Sequence, residues 1–414
     1  MSPLQGIRTV KDLPVENARV FLRVDFNVPL AKGKITDDSR IREALPTIKH
    51  LMERGARVVL ASHLGRPKPG KDGASGSPSQ GGLHRVDSLG MEPCGARLAE
   101  LLACEVLLPD DCIGDAPKKV IKDMRAGQVC LLENLRFHPE EEADDEGFAR
   151  QLAELADVYV DDAFGAVHRA HASVHALPKM MRDKGCGFLL EREIAALGKL
   201  VTGPDKPYVA VLGGSKVSDK IDVVLALLLQ VDTLVIGGAM ANTFLAAKGS
   251  NVQASRVETD KLPLARSILE KAKEKKITIV LPVDVVVGGS LEAGAEDAKT
   301  VDVASIPPGM MALDVGPKTV ALIAERFKKA KTIFWNGPMG LFENAAFAEG
   351  TFGVARAMVE TEAFTVIGGG DSAAAVHAAG GDIAARVKHI STGGGASLEL
   401  IEGKKLPGIE VLRG

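Results

Sequence analysis

The chain has 414 residues, 46% of them hydrophobic, 4% aromatic and 25% charged, with a formal net charge of −3. That length makes two domains the natural expectation. The near-neutral balance argues against a general nucleic-acid or membrane-surface role, and no apolar run approaches a membrane span. Met1 to Val10 lacks a signal-peptide pattern, and the five cysteines (Cys94, Cys104, Cys112, Cys130, Cys186) contain no C-x-x-C pair. A reduced, cytoplasmic protein with inert thiols is expected.

In chain order, Val20 to Asn27 is a predicted strand that ends in polar groups. Asp38 to Met52 follows as a helix, with Ile41, Leu45, Ile48 and Met52 at intervals of three and four. Arg57 to Ser62 is a second strand and runs into His63-Leu64-Gly65-Arg66-Pro67. Lys68 to Gly82, rich in Gly, Ser and Pro, predicts a flexible surface loop. Ala96 to Leu102 is helical and Val129 to Arg136 is a strand. The acidic run Glu140 to Glu146 predicts a solvated helix start. Val158 to Asp162 is a strand leading into a helical pattern from Ala166 to His175.

Gly185 to Pro207 marks a boundary. Leu190, Ile194, Leu197 and Val201 place a helix in its middle, and Gly203-Pro204-Asp205-Lys206-Pro207 stops it. The second half repeats the grammar without an internal sequence repeat. Strand candidates at 208–212, 232–236, 277–281, 332–335, 364–367 and 387–390 alternate with helical patterns, which predicts a parallel, doubly wound sheet.

The organising stretch is Tyr208 to Leu212 followed by Gly213-Gly214-Ser215-Lys216-Val217-Ser218-Asp219-Lys220. A buried strand, a glycine turn and a helix from Asp219 to Leu229 would aim backbone N–H groups at an anion. Lys216 and Lys220 would add two cations on one helical face if the helix starts early. The alternative is a plain turn with solvated lysines.

Ligands of open α/β sheets bind beyond the carboxyl ends of the strands. In the first half those ends carry Asp25, Asn27, His63, Arg66, Arg136 and His138, with Arg40, Arg169 and His171 close behind. This suggests a pocket for a small polyanion held by arginine forks; scattered surface arginines are the competing reading. His168, His171 and His175 share a helical face, but without a cysteine or carboxylate to complete a zinc site, an anion contact or packing is expected. In the second half the strand ends read Gly237-Gly238-Ala239, Trp335-Asn336-Gly337-Pro338-Met339-Gly340, Gly368-Gly369-Gly370-Asp371-Ser372 and Thr392-Gly393-Gly394-Gly395-Ala396-Ser397. Such glycines let backbone approach a flat or phosphorylated ligand closely. Asp371 is a natural Mg²⁺ partner, or an N-cap for the helix that follows, or both.

No Gly-Lys pair is followed by Ser or Thr, which excludes a Walker loop. Gly368-x-Gly370-x-x-Ala373 fits the loose dinucleotide fingerprint, yet the region some twenty positions on reads His389-Ile390-Ser391-Thr392, without the expected acid. An NAD-dependent dehydrogenase is therefore a poor alternative. A two-lobed phosphometabolite-binding protein is a second.

Val24-Asp25-Phe26-Asn27-Val28-Pro29, Ser62-His63-Leu64-Gly65-Arg66-Pro67, Glu133-Asn134-Leu135-Arg136-Phe137, Asp162-Ala163-Phe164-Gly165 with His168-Arg169, and the second-half glycine turns together resemble phosphoglycerate kinase nearly end to end. The resemblance implies a monomer of two doubly wound, Rossmann-like parallel-sheet α/β domains joined by a helix, whose C-terminal tail (Leu406 to Gly414) returns to the N-terminal domain. It implies a 3-phosphoglycerate-binding domain at 1–186 with the tail 404–414, an interdomain helix at 187–203 and a nucleotide-binding domain at 204–403. Carried over by motif, the acid substrate would meet Asp25, Asn27, Arg40, His63, Leu64, Gly65, Arg66, Arg136 and Arg169. Mg²⁺ with ATP or ADP would meet Gly214, Lys216, Lys220, Gly238, Asn336, Pro338, Glu343, Gly369, Gly370, Asp371 and Ser372, with Asp371 toward the metal and Gly370, Gly393 and Gly394 toward the transferring phosphate. Residues 68–95 are longer than usual for the family, and Ala239 stands where many members have a third glycine.

The implied glycolytic reaction moves a phosphoryl group reversibly between 1,3-bisphosphoglycerate with ADP and 3-phosphoglycerate with ATP. A carboxyl acceptor with a pKa of roughly 3–4 is already ionised at neutral pH. No general base is expected, and Arg40, Lys216 and Lys220 are the expected catalytic cations.

Overall fold

The computed structural model describes residues 4–67 and 87–413, so the whole predicted surface loop, Lys68 to Gly82, lies outside the described residues. The chain divides into two compact units, Met1–Ala195 with Lys405–Gly414, and Ala196–Lys404. The division falls inside one helix, Phe188–Thr202, whose apolar face includes the predicted Leu190, Ile194 and Leu197.

The first unit is built on a six-stranded sheet in the order Val106–Leu107, Val129–Leu131, Arg57–Ala61, Arg19–Val24, Val158–Asp162, Asp183–Cys186, and every pairing is parallel. The strands are apolar on both faces because helices cover both. Ser39–Glu53 buries Ile41, Ala44, Ile48 and Leu51 against Leu22, Leu60 and Leu131 in the main core. The C-terminal tail belongs to this unit. Ile7 and Arg413 form a β-bridge, and the Gly408 amide donates to the Val167 carbonyl at 2.9 Å. A Cβ at Gly408 would come within 2.6 Å of Val174, so the tail docks where only glycine fits.

The second unit has its own six-stranded parallel sheet, ordered Thr278–Val280, Thr233–Ile236, Tyr208–Leu212, Thr332–Asn336, Phe364–Gly368, His389–Ile390. Numbered along this half, that order is 3-2-1-4-5-6, with the topological switch between Tyr208–Leu212 and Thr332–Asn336. Ligand crevices form at such switch points because neighbouring connections leave in opposite directions.

One element was not expected. Asp284–Gly288, Lys299–Asp302 and Met311–Val315 form a separate antiparallel sheet with a small core of its own around Val285, Val287, Val303 and Ile306. Its strands are short and the segments between them carry no α-helix, only a 3₁₀ turn at Val303–Ser305, so the alternation that marks the parallel sheet gives no warning of it. Several strands are also shorter than predicted. Val129–Leu131 stops early because Asn134 turns the chain into a 3₁₀ turn, Leu135–Phe137, with its Oδ1 accepting from the Arg136 amide. Among the described residues no helix is long and apolar enough to cross a membrane.

Gly213 follows the strand at the switch point, and a Cβ there would lie 2.0 Å from the Pro338 carbonyl oxygen, a contact backbone cannot relieve cheaply. Gly213→Ala should therefore lower stability by about 1–3 kcal/mol, the usual range for forced overpacking. Denaturant unfolding followed by circular dichroism checks this, and an unchanged midpoint would refute the close approach.

Candidate functional site

In the first unit the candidate residues gather beyond the carboxyl ends of the central strands. Asp25 ends one strand and holds Arg40 through a 2.7 Å ion pair while its other oxygen accepts from the Asn27 amide. Asn27 Oδ1 in turn accepts from the Gly65 amide at 2.9 Å, and the Gly65 carbonyl accepts from Arg136 Nη1 at 2.7 Å. Gly65 has φ +64°, and a Cβ there would meet Leu89 at 2.7 Å. The loop that carries His63, Leu64, Gly65 and Arg66 is thus stitched to Asn27 on one side and Arg136 on the other. Asn134 adds to this by donating to the carbonyls of Leu64 and Leu89. Arg66 is exposed and has no ion-pair partner among the described residues.

The cations are dense enough to suppress one another. Burial, then Arg23, Arg136 and Arg169, push the His63 imidazole well below its ordinary range. Burial, with Arg136, Arg23 and Arg169, drops His171 to about 4. Burial and Arg169 lower His168, whose Nε2 accepts from Arg169 Nε at 3.2 Å. Neutral imidazoles and charged guanidiniums therefore line one region at neutral pH, a field that favours an anionic ligand.

Two members of this cluster escaped the sequence reading. Arg23, 1% exposed, is the penultimate residue of the strand Arg19–Val24, with Nε donating to Ser173 Oγ at 2.9 Å and Nη2 lying 3.1 Å from His63 Nδ1. A cation inside an apolar strand was the available signal. Glu141 corrects the expectation of a solvated acidic run. It is fully buried and accepts from the Ser173 amide at 2.9 Å and from its hydroxyl at 2.6 Å. Burial raises its pKa against the opposing pull of Arg23 and Ser173. Glu142 of the same run lies 2.9 Å from Arg136.

The three histidines do not share one helix. A 3₁₀ turn at Phe164–Ala166 and a π-turn at Ala172–Ala176 break the pattern, and His175 pairs with Asp144 at 2.6 Å. His138 turns away to Asp111.

In the second unit the glycine turns close on one another at the switch point. The Gly213 amide donates to the Asn336 carbonyl and the Gly214 amide to the Pro338 carbonyl, both at 3.0 Å; the Gly238 amide donates to Met339. Gly337 has φ +94°, and a Cβ on it would lie 2.3 Å from Gly213 O. Ser372 Oγ accepts from the Gly337 amide, and Asn336 Nδ2 donates to Gly368 O at 2.7 Å. The helices Gly370–Ala378 and Gly394–Ile401 start side by side, with the Gly394 Cβ position 3.9 Å from Gly370 N. Gly369, at φ +92°, is the N-cap of the first of them, so Asp371 sits inside the first turn rather than capping it. Gly393 is the N-cap of the second.

The two lysines are unequal. The helix begins only at Ile221, so they share no helical face. Lys216 lies in the preceding loop, exposed and without a partner among the described residues. Glu258 positions that loop by accepting from the amides of Val217 and Ser218 and from the Ser218 hydroxyl. Lys220 is mostly buried and donates to the carbonyl oxygen and Oδ1 of Asn336. Burial lowers it to about 8, partly opposed by Asp371 and Asp219.

Beside the turns lies a cavity of about 380 Å³, lined by Gly214, Gly238, Ala239, Pro338, Gly340, Leu341 and Glu343, with Met311, Ala312 and Leu313 from the antiparallel sheet. Its apolar wall comes from the element that the sequence did not reveal.

Parallel sheets ending in guanidinium groups in one unit, and in glycine turns around an ammonium in the other, define an α/β protein built for phosphorylated ligands. Comparison with known proteins narrows the class. The phosphoglycerate kinase family matches residues 10–404. A phosphoglycerate kinase of Anaeromyxobacter sp. (strain Fw109-5) is 54% identical over 99% of this chain and 100% of its own length, and one from Pelotomaculum thermopropionicum is 50% identical over 98% of each. The solved phosphoglycerate kinase of Coxiella burnetii superposes with a TM-score of 0.86 at 38% identity, covering 98% of both chains. The chain belongs to the phosphoglycerate kinase family, glycolytic enzymes that transfer phosphoryl groups. The dehydrogenase and binding-protein alternatives are set aside. The fold supplies a reason against the former: the glycine fingerprint follows the fifth strand of the sheet instead of the first, away from the switch point.

An anion bound against Lys220 should pull its pKa back up from about 8. Binding of pyrophosphate or nucleotide should then take up about half a proton near pH 8, and affinity should fall as pH rises through that value. Calorimetry in two buffers of different ionisation enthalpy measures the uptake. Lys220→Met should abolish it, and equal uptake in that variant would refute the assignment.

Proposed function

We propose that this chain catalyses reversible transfer between the acyl phosphate of 1,3-bisphosphoglycerate with ADP and the carboxylate of 3-phosphoglycerate with ATP. The first unit takes the acid substrate through Asp25, Asn27, Arg40, His63, Arg66, Arg136 and Arg169, with Leu64 and Gly65 shaping the loop. The second takes the nucleotide, its base in the apolar cavity beside Gly238, Pro338 and Glu343 and its phosphates toward Gly214, Lys216, Lys220, Asn336 and the helix starts at Gly370 and Gly394. The observation that carries this reading is Lys220, a largely buried ammonium held by neutral oxygens of Asn336 and close enough to Asp371 to feel its charge. Such a cation asks for an anionic ligand.

Asp371 fits the magnesium role. Its carboxylate is exposed, in the first helical turn after a glycine-rich strand end, and has no hydrogen bond among the described residues. It would hold the ion together with phosphate oxygens. Bound there, Mg²⁺ would neutralise phosphate charge.

The acceptor carboxylate needs no deprotonation, so the work of the chain is positioning and charge stabilisation. Asp25 presets the guanidinium of Arg40. Lys216, without a partner among the described residues and on a loop fixed by Glu258, would follow the transferring group, while Lys220 holds phosphate oxygens. Because the substrates belong to different units, transfer requires closure, with the helix Phe188–Thr202 as hinge element. A monomer in the cytoplasm is the working form; the five cysteines, none in a disulfide, support a reducing compartment.

A coupled assay of ATP consumption dependent on 3-phosphoglycerate tests the reaction directly. Lys216→Ala should lower kcat by roughly 100-fold or more, about 3 kcal/mol of barrier, with the fold intact. Unchanged turnover in that variant would remove Lys216 from the catalytic set.

A further inference from the structure

Outside the substrate and nucleotide regions, three side chains of three donor types converge in the first unit. A carboxylate oxygen of Asp111, the thiol of Cys112 and a ring nitrogen of His138 all lie within 4.8 Å of one another. They come from two segments. Asp111 and Cys112 lie between the strand Val106–Leu107 and the helix Asp115–Asp123, and His138 follows the turn Leu135–Phe137 as N-cap of the helix Pro139–Glu142. Asp111 Oδ1 is 2.7 Å from His138 Nε2 and accepts from the Cys112 amide at 2.6 Å. The imidazole is fixed against Phe148, with ring centroids 5.3 Å apart.

A hydrogen-bonded Asp–His pair would by itself suffice to tie the two segments together. The buried thiol beside it hydrogen-bonds the same Asp111 carboxylate and brings a third donor type to the one point. Carboxylate, thiolate and imidazole are the donor set that zinc-class ions take, with bonds of about 2.0–2.3 Å that set tetrahedral donors about 3.3–3.8 Å apart. The present spread, from 2.7 Å to at most 4.8 Å, brackets that separation, so side-chain adjustments of an ångström or less would seat an ion. Cys112 and His138 are buried, whereas the Asp111 side chain is 30% exposed, which leaves one side open for entry and for a water as fourth ligand.

We infer that Asp111, Cys112 and His138 form a binding site for a zinc-class divalent cation, with three protein ligands and an open fourth position. On binding, the Cys112 S–H bond breaks, a sulfur–metal bond forms and the thiol proton leaves to solvent. No electron is transferred. The site is separate from the Asp371 region, where oxygen ligands alone suit magnesium.

Cobalt(II) titration of the full chain under reducing conditions tests this. A thiolate-to-cobalt charge-transfer band in the near ultraviolet should grow to one ion per chain, with release of about one proton, and should be displaced by zinc. Cys112→Ser should remove the band, His138→Gln should weaken binding at least 10-fold, and Cys104→Ser, at a partly accessible thiol outside the cluster, should leave both unchanged. Absence of the band in the unmodified chain, or its persistence in Cys112→Ser, overturns the site. Should Cys112→Ser fail to fold by circular dichroism, His138→Gln decides, and undiminished cobalt affinity there overturns it equally.

Discussion

The candidate nucleotide site depends on one steric constraint: two backbone strands must approach side by side at the switch point with no Cβ between them. Gly213 and Gly214 meet the Asn336–Pro338 segment through paired amide–carbonyl hydrogen bonds, and almost any side chain at Gly213 or Gly337 would collide with backbone. That closeness lets Asn336 present two oxygens to Lys220 and brings the Ser372 hydroxyl to the Gly337 amide. A polar site assembled mainly from main chain loses little to side-chain disorder and presents donors already aimed.

The first unit solves a different electrostatic problem. It places Arg23, Arg136 and Arg169 near three imidazoles, in surroundings where burial penalises every charge. The protein offsets part of this internally: Glu141 acts through Ser173 on Arg23, and Glu142 lies against Arg136. The histidines respond by giving up their protons. What remains is a group of guanidiniums that a phosphate or carboxylate can engage bidentately, with neutral rings to donate hydrogen bonds.

The strand ends of both sheets were legible because parallel strands are apolar runs and their polar terminators stand out. Asp25, His63, Arg136, Gly213 and Gly369 were found that way. Arg23 was hidden by lying within such a run. Glu141 was hidden by company, since an acid among six neighbouring acidic or small residues reads as solvated, and only packing against Ser173 distinguishes it. The antiparallel sheet left no period to follow, and with it went the apolar wall of the cavity, Met311 to Leu313. Asp111 and His138 lie 27 positions apart, so their pairing carries no local signature.

By itself the sequence determined the alternation of strand and helix, the placement of chemistry at the strands' carboxyl ends and the family, because each is written in short-range pattern and spacing. Tertiary structure alone decided which of those polar groups are buried, which are mutually compensated and which stay free for a ligand. Lys216 and Lys220 are alike in sequence. One is exposed and has no partner among the described residues while the other is sunk against Asn336, more than a hundred residues away, and that difference is set by long-range packing that no local pattern encodes.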